Sequence, residues 1–190
     1  KIEYNLDIRT PEVITPDVWR NRIERLTGAS DTKKSEILRS FIKENNLLVG
    51  MDDEQINALK VTADYTNPDG NLSFAHLEQF INGIPVFRGE VKAGFTKNGE
   101  IIRVINNLAP GLDYDSLSKE FYNPADAVKA AAEQVRYDLK EGDTVPNEGA
   151  STDIKVKFGR GGDWDIQAEK MYFPTEPGVA VPAWRVLIWK

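Results

Sequence analysis

His76 is the residue of this 190-residue chain best suited to acid–base or metal chemistry, and it is the only histidine. A single histidine cannot build the helical HExxH zinc motif, which needs two. A Ser-His-Asp arrangement would have to use this one residue, and no G-x-S-x-G elbow accompanies it. Alternation from Leu72 to Phe80 instead places His76 on one face of a strand with Glu78. We therefore expect a partly exposed strand residue and no catalytic role.

Paired carboxylates, which can serve glycoside hydrolysis or calcium binding, occur at three places. They are Asp52-Asp53-Glu54, Asp113 with Asp115, and Asp163 with Asp165. The first fits the cap and first turn of a short helix at DEQINAL, and the second lies in a linker-like stretch. The third follows GRGG, which lacks the lysine and Ser/Thr of a phosphate loop and is typical of a hairpin loop. We expect turn chemistry, not a metal, at Asp163 and Asp165.

Composition excludes further classes of function. The absence of cysteine rules out disulfides, thiolate nucleophiles and thiol-ligated zinc. The net charge of -6 is spread over interleaved charges of both signs with no basic face, so nucleic-acid binding lacks its electrostatic basis. No apolar run approaches the length of a membrane span, and the first residues lack a signal-peptide pattern, as they would after its removal. With 41% hydrophobic residues the chain should be globular.

The sequence of the first half predicts helices followed by strands. Residues 17–26 and the stretch SDTKKSEILRSFIKEN after them have apolar residues at helical spacing, and Ser30 or Asp31 is the expected cap of the second helix. From Leu59 the period changes to two. Four β-rich runs, separated by Asn, Gly and Pro signals and ending near Leu108, predict an antiparallel meander with a helix laid across one face.

The second half repeats this plan. Residues 109–124 form a linker candidate, after which Asn123 and Pro124 begin a helix over ADAVKAAAEQVRYDL. Three β-rich runs follow, from TDIKVKF to VAVPAWRVLIWK, and their aromatic residues suit either a core or a contact surface. The predicted fold class is α+β, with two small helix-on-antiparallel-sheet domains at residues 1–112 and 113–190.

The stretch "LEQFINGIPVFRGEVKAGFTKNGEIIRVINNLAPG", residues 77–111, combines backbone signals at fixed spacing. Asn82-Gly83 is a strong two-residue hairpin signal, since a type I′ turn needs positive φ at both central positions. The stretch resembles the propeptide motif shared by fungalysin and thermolysin-type zinc metalloproteases. The matching positions are Gln79, Asn82, Gly83, Pro85, Val86, Phe87, Gly89, Asn98, Gly99 and Asn106 to Pro110.

The second half adds to this resemblance. NPADAVKAAAEQV is similar to the helix of a PepSY-like second domain, and Trp184-Arg185-Val186 is the most typical triplet of its late strands. Together the halves resemble the propeptide of the fungalysin-like peptidase family M36 more than that of the thermolysin type. Such propeptides usually continue into a strand ending in Asp-Ala-x-Thr-Gly, so we expect residues 113–190 to lack their last strand.

The resemblance implies a non-catalytic region of a secreted precursor with a cystatin-like fold. Its partner would be the cognate metalloprotease catalytic domain, which it would help to fold and keep inactive until cleavage. No cofactor is implied for this chain, and zinc is expected only in the protease domain. The signature residues Gln79, Asn82, Gly83, Pro85, Val86, Gly89, Asn98, Gly99, Trp184 and Arg185 are expected to shape the fold and are not proposed contacts.

Two other classes of function stay open at this point. A stand-alone extracellular module could bind peptides or proteins through an exposed strand edge. An enzyme that uses His76 or the Asp163 and Asp165 pair is the least favoured alternative.

Overall fold

A computed structural model describes residues 1–17, 25–159 and 161–189. The helix predicted at residues 17–26 falls mostly on residues 18–24, which lie outside the described residues. The described chain divides into two compact units. The first contains Lys1–Asp115 with Pro174–Ala180, and the second contains Ser116–Phe173 with Val181–Lys190.

The first unit contains six strands that pair in the order β1-β2-β6-β5-β4-β3. Its elements are β1 (Ile2–Tyr4), β2 (Pro11–Ile14), α1 (Lys34–Glu44), α2 (Asn46–Val49), α3 (Asp53–Ala58), β3 (Lys60–Thr66), β4 (Leu72–Ile81), β5 (Ile84–Thr96) and β6 (Ile101–Asn106). Every one of these pairings is antiparallel. The sequence predicted β3 to β6 almost to the residue, but it missed β1, β2 and α2.

Strict alternation gives the meander one buried face and one outer face. In β4, Ala75, Leu77 and Gln79 point into the core, while His76 and Glu78 point to the outer face. This is the period-two pattern that successive strand side chains must follow. The outer face is therefore the surface on which the polar residues of β4 and β5 meet.

Helix α1 covers the buried face of the sheet. Leu38 and Ile42 are buried in its apolar stripe, and each contributes about 1.5–3 kcal/mol by leaving water. The predicted cap at Ser30 or Asp31 is wrong, because the helix begins after Lys33 and no local side chain caps it. The carboxylate of Asp64, on β3, accepts from the Ser35 backbone N–H instead.

Helix α3 begins as its sequence indicates. Asp52 Oδ1 accepts a hydrogen bond from the Gln55 N–H at 2.8 Å, and the Gln55 side chain accepts one from the Asp52 N–H. This reciprocal pair is a capping box. The acidic run at residues 52–54 thus serves a helix start.

The second unit contains helix α4 (Pro124–Val135), a short 3₁₀ turn (Glu148–Ala150), strand β7 (Lys155–Phe158) and most of strands β8 (Ile166–Glu176) and β9 (Val179–Leu187). Residues 174–176 of β8 and 179–180 of β9 belong to the first unit. Strand β8 pairs with β7 and β9. Asn123 caps α4 as expected, but the helix ends at Val135, short of the predicted Leu139, because Arg136 adopts a left-handed conformation. Val128 and Phe158 are buried in the cluster between helix and strands.

Helices beside antiparallel strands confirm the predicted α+β class. None of the described helices is long and apolar enough to cross a membrane. The division at residues 112 and 113 stays a prediction of domain organisation.

Candidate functional site

A tight turn joins the two longest strands of the first unit. Asn82 has φ 52° and Gly83 has φ 81°, and Ile81 pairs with Ile84 across them. Positive φ at both central residues is the requirement of a type I′ turn, whose twist matches that of the flanking strands. The Asn-Gly pair thus fixes the register at this end of the hairpin.

A large bulge follows this turn on β5. Glu78 pairs with Glu90 and Phe80 pairs with Pro85, so Gln79 alone faces residues 86–89. Within the bulge Val86 is buried, while Arg88 has φ 54°, which non-glycine residues rarely adopt. The spacing of Pro85, Val86 and Gly89 in the signature therefore corresponds to an irregular piece of backbone.

Gln79 fills the gap that this bulge leaves in the ladder. It is 1% exposed, its Oε1 accepts from the Ala109 N–H at 2.9 Å, and its Nε2 donates to the Ala109 carbonyl at 3.2 Å. Nε2 also donates to the Tyr114 hydroxyl at 2.9 Å. Burial raises the pKa of Tyr114, and the hydrogen bond from Gln79 opposes this more weakly. Both polar atoms of the buried amide thus have hydrogen-bond partners.

Gly89 packs directly against this amide. A Cβ atom added there would lie 2.8 Å from the Cβ of Val86 and 3.0 Å from Oε1 of Gln79. These separations are shorter than van der Waals contact, so a larger residue would push the bulge and the amide apart. Gly89 is therefore required by close packing and not by its φ angle.

The second hairpin of the signature carries Asn98 and Gly99. Gly99 has φ 80°, and a Cβ atom there would lie 2.1 Å from the Ser30 carbonyl oxygen. The Ser30 N–H donates to the Asn98 carbonyl at 2.9 Å. The tip of the β5–β6 hairpin thus holds the segment that leads into α1.

The remaining signature residues lie in the second unit. Trp184 Nε1 donates to the Tyr122 carbonyl at 2.8 Å, and the Trp184 ring meets the Phe121 ring edge-on at 5.9 Å. Arg185 pairs with Glu169 of the neighbouring strand. Trp164 and Trp189 form a separate, more exposed pair with ring centroids 5.2 Å apart. The aromatic residues thus supply both a packed group and an exposed one.

His76 lies among charged residues on the outer face. Its Nε2 is 2.9 Å from Glu90 Oε2 and 3.7 Å from Glu78 Oε1. Lys92 Nζ is 2.6 Å from the other oxygen of Glu90. The sequence placed Glu78 beside His76 but could not find Glu90 or Lys92, since only the β4–β5 register brings them there.

Asp52, Asp113 and Asp165 each accept a hydrogen bond from a backbone N–H group, whereas Asp53 forms an ion pair with Lys43 at 3.2 Å. Asp165 Oδ2 accepts from the Gly161 N–H at 2.8 Å, and Asp113 Oδ1 accepts from the Asp115 N–H at 3.1 Å. Short Asx-type hydrogen bonds of this kind stabilise turns. In the described ranges, the side chains grouped closely enough to share a cation are instead His76, Glu78 and Glu90.

An apolar groove lies beside His76 on the outer face. It has a volume of about 420 Å³, and its lining includes Leu72, Ile102 and Ile105. Tyr65 and Phe74 stack at its side with ring centroids 5.4 Å apart and are 56% and 37% exposed. Exposed aromatic residues that line a groove are typical of protein-contact surfaces.

Sequence patterns did not indicate the roles of three side chains that form long-range hydrogen bonds. Asp64 caps α1 from strand β3, Tyr114 receives a hydrogen bond from Gln79, and Arg39 donates to the carbonyls of Asn57 and Leu59 at the end of α3. Each contact joins residues 18 or more positions apart. No local pattern signals such a pairing.

The antiparallel meander of the first unit matches a known protein-family model. Residues 57–108 match the family model described as the Fungalysin/Thermolysin Propeptide Motif. The matched range begins in α3 and includes β3, β4, β5 and β6, with the Asn82-Gly83 turn, the bulge and the buried Gln79. The chain therefore carries a protease-propeptide motif, in agreement with the resemblance found from its sequence.

Proposed function

We propose that this chain is the propeptide region of a secreted, fungalysin-like zinc metalloprotease of peptidase family M36, and that it assists folding of the catalytic domain and inhibits it. The observation that carries the proposal is the propeptide-motif match over residues 57–108. The similarity of residues 123–135 and of Trp184-Arg185-Val186 to a PepSY-like domain favours the fungalysin type over the thermolysin type.

Pre-organisation supports binding by this region. The two hairpin turns have the left-handed residues they need, and Gln79 holds β4 to the segment after β6. A surface that is already ordered loses little conformational entropy on binding, so more of its contact energy appears as affinity. The apolar groove and the exposed Tyr65 and Phe74 provide contact area for a partner protein.

Covalent linkage explains how such a region could both inhibit and release. A tethered partner acts at an effective concentration in about the millimolar range, which falls to the free concentration once the linker is cut. An affinity in about the micromolar range therefore gives strong inhibition before cleavage and release after dilution. Binding to the native catalytic domain alone also stabilises it against unfolding, which is the thermodynamic part of a chaperone role.

The test is a titration of the catalytic domain from the same precursor with the purified chain. We expect inhibition that saturates at one equivalent, and an increased yield when the unfolded catalytic domain refolds in its presence. Gly99→Val is the control, because a side chain there collides with Ser30 and should remove both effects by disrupting the fold. A serine protease should be unaffected. Absence of both effects with the folded wild-type chain would reject the proposal.

A stand-alone extracellular binding module is the second candidate, and the position of β3 favours it. Strand β3 ends the order of the first unit's sheet, and its side chains are mostly exposed. An edge strand can accept an extended peptide by strand addition. The coding sequence past Lys190 separates the two candidates: a domain with HExxH in frame supports the propeptide, and a stop codon there supports the module.

A further inference from the structure

We propose that His76, Glu78 and Glu90 form a binding site for a divalent transition-metal cation of the zinc type on the outer face of β4 and β5. Their ligand atoms all lie within 4.8 Å of one another. The site stands apart from the proposed propeptide function and does not depend on it. It would join β4 to β5 next to the bulge.

The spacing of the ligand atoms suits a tetrahedral cation. Bonds from zinc to nitrogen and oxygen are about 2.0–2.2 Å long, which places neighbouring ligand atoms about 3.3–3.6 Å apart. His76 Nε2 lies 2.9 Å from Glu90 Oε2 and 3.7 Å from Glu78 Oε1, so the two separations lie on either side of that range. The third separation, between the Glu78 and Glu90 oxygens, is within 4.8 Å, so side-chain rotations can bring all three ligand atoms to one cation.

The strands hold these side chains in place. His76 and Glu78 are two residues apart in β4 and so share a face, and Glu90 lies directly opposite Glu78 in β5. The intervening Leu77 and the neighbouring Val91 are fully buried on the other face, which anchors both strands. Ligands on rigid strands are positioned more accurately than ligands on loops.

The charges around His76 supply the second argument. Two glutamates directly opposite each other destabilise a strand pair. Lys92 Nζ, 2.6 Å from Glu90 Oε1, reduces the repulsion between the two carboxylates at that one oxygen. Glu90 Oε2 and Glu78 Oε1 both face the same ring nitrogen of His76, which carries at most one proton. A cation among the three atoms can contact all of them.

The ligand set selects the class of cation. One imidazole nitrogen with two carboxylate oxygens suits zinc and related transition metals, whereas calcium and magnesium prefer oxygen ligands alone. The three side chains are between 20% and 35% exposed, so water can reach a fourth coordination position. Lys92 opposes the cation by its charge.

The experiment titrates the full 190-residue chain with zinc at neutral pH and follows the imidazole NMR signals, which belong to a single histidine. We expect these signals to change until one equivalent is bound, together with a saturable increase in Tm. Glu78→Gln and Glu90→Gln should each weaken zinc binding more than about tenfold. Lys92→Gln should strengthen it by removing the competing charge. Asp163→Asn, in another acidic pair, should leave it unchanged.

Two results would overturn the proposal. One is an unchanged His76 signal at millimolar zinc, and the other is equal zinc affinity in the wild type and the two glutamine variants. Circular dichroism of each variant checks its fold, which should be retained because glutamine has the size of glutamate and removes a like-charge pair. If only pH, and not zinc, changes the His76 signals, the three side chains are an ion-paired group without a metal.

Discussion

Gln79 and Ala109 exchange two hydrogen bonds, from the Ala109 N–H to Oε1 at 2.9 Å and from Nε2 to the Ala109 carbonyl at 3.2 Å. The side-chain amide thus contacts Ala109 as the backbone of an adjacent strand would. It does so beside the bulge of β5, where the regular pairing of β4 is interrupted. One buried side chain therefore joins β4 to the segment after β6.

Gln79→Met should destabilise the first unit by about 1–3 kcal/mol, because methionine keeps the volume but leaves the Ala109 N–H and carbonyl without partners. Urea denaturation followed by circular dichroism measures this change. Gln134→Met, at an exposed position of α4, is the matched control and should stay within about 0.5 kcal/mol of the wild type. Similar effects of the two substitutions would contradict the role of the amide.

Tyr114 should make the first unit less stable in alkali. Burial raises its pKa above the ordinary value of 10.0, so the folded chain holds this proton more tightly than the unfolded chain does. The contribution of protonated Tyr114 to the free energy of unfolding is complete below about pH 10 and is lost as the pH rises through the folded-state pKa. The free energy of unfolding, measured in urea at increasing pH, should therefore decrease above pH 10.

Tyr114→Phe tests this assignment. The variant loses the hydrogen bond from Gln79 and should be less stable at neutral pH, but its stability should fall less steeply in alkali. Burial also raises the pKa of Tyr172, so part of the alkaline decrease should remain. An unchanged slope in the variant would show that Tyr114 titrates alike in the folded and unfolded chains.

Asp64→Ala should cost about 1–2 kcal/mol, since Asp64 Oδ2 accepts from the N–H and the hydroxyl of Ser35 in the first turn of α1. Asp31→Ala is the matched control, because the sequence predicted Ser30 or Asp31 as the cap. It should change the free energy of unfolding by less than about 0.5 kcal/mol. A larger effect of Asp31→Ala than of Asp64→Ala in chemical denaturation would restore the local cap.

These two aspartates show where sequence patterns succeed and where they end. The period of two from Leu59 and the Asn-Gly pairs predicted β3 to β6 because alternation and turn chemistry are local properties. The cap of α1 could not be predicted from local patterns, because Asp64 lies 29 positions from Ser35. Strands β1 and β2 escaped because they have only three and four residues, too few to show alternation.

The candidate sites divide in the same way. The sequence identified Gln79 through a family resemblance, and it identified Asn82-Gly83 and Gly89 through turn and close-packing signals as well. Their contacts with Ala109 and Val86 follow only from the three-dimensional fold. His76 was recognised as a strand residue beside Glu78. Glu90 joins them only through a register that includes a bulge of several residues, which no periodicity encodes.

Gly99→Ala should destabilise the chain more than Gly70→Ala. Both glycines have positive φ, +80° and +71°, so each substitution costs about 1–2 kcal/mol of backbone strain. A Cβ atom at Gly99 also meets the Ser30 carbonyl at 2.1 Å, whereas no described residue has an atom within 4 Å of one at Gly70. We expect an additional loss of about 1–3 kcal/mol at Gly99 from overpacking, visible as a lower Tm. Equal Tm values would mean that residue 30 moves away without cost.

Arg88→Gly should be more stable than Arg88→Ala. Arg88 has φ 54°, and its guanidinium lies 5.4 Å from the centre of the Phe87 ring. Both substitutions lose this cation–π contact, worth about 0.5–1 kcal/mol, but only glycine removes the left-handed strain of about 1–2 kcal/mol.

Glycine also has more conformational freedom in the unfolded chain, which offsets about 0.5–1 kcal/mol of the relief of backbone strain. The free energy of unfolding, measured in urea, should therefore be about 0.5–1 kcal/mol higher for the glycine variant than for the alanine variant. Arg88→Asn should lie between them, since asparagine tolerates a positive φ. If alanine were as stable as glycine, the bulge would relax around residue 88, and the spacing between Pro85 and Gly89 would not depend on a left-handed residue.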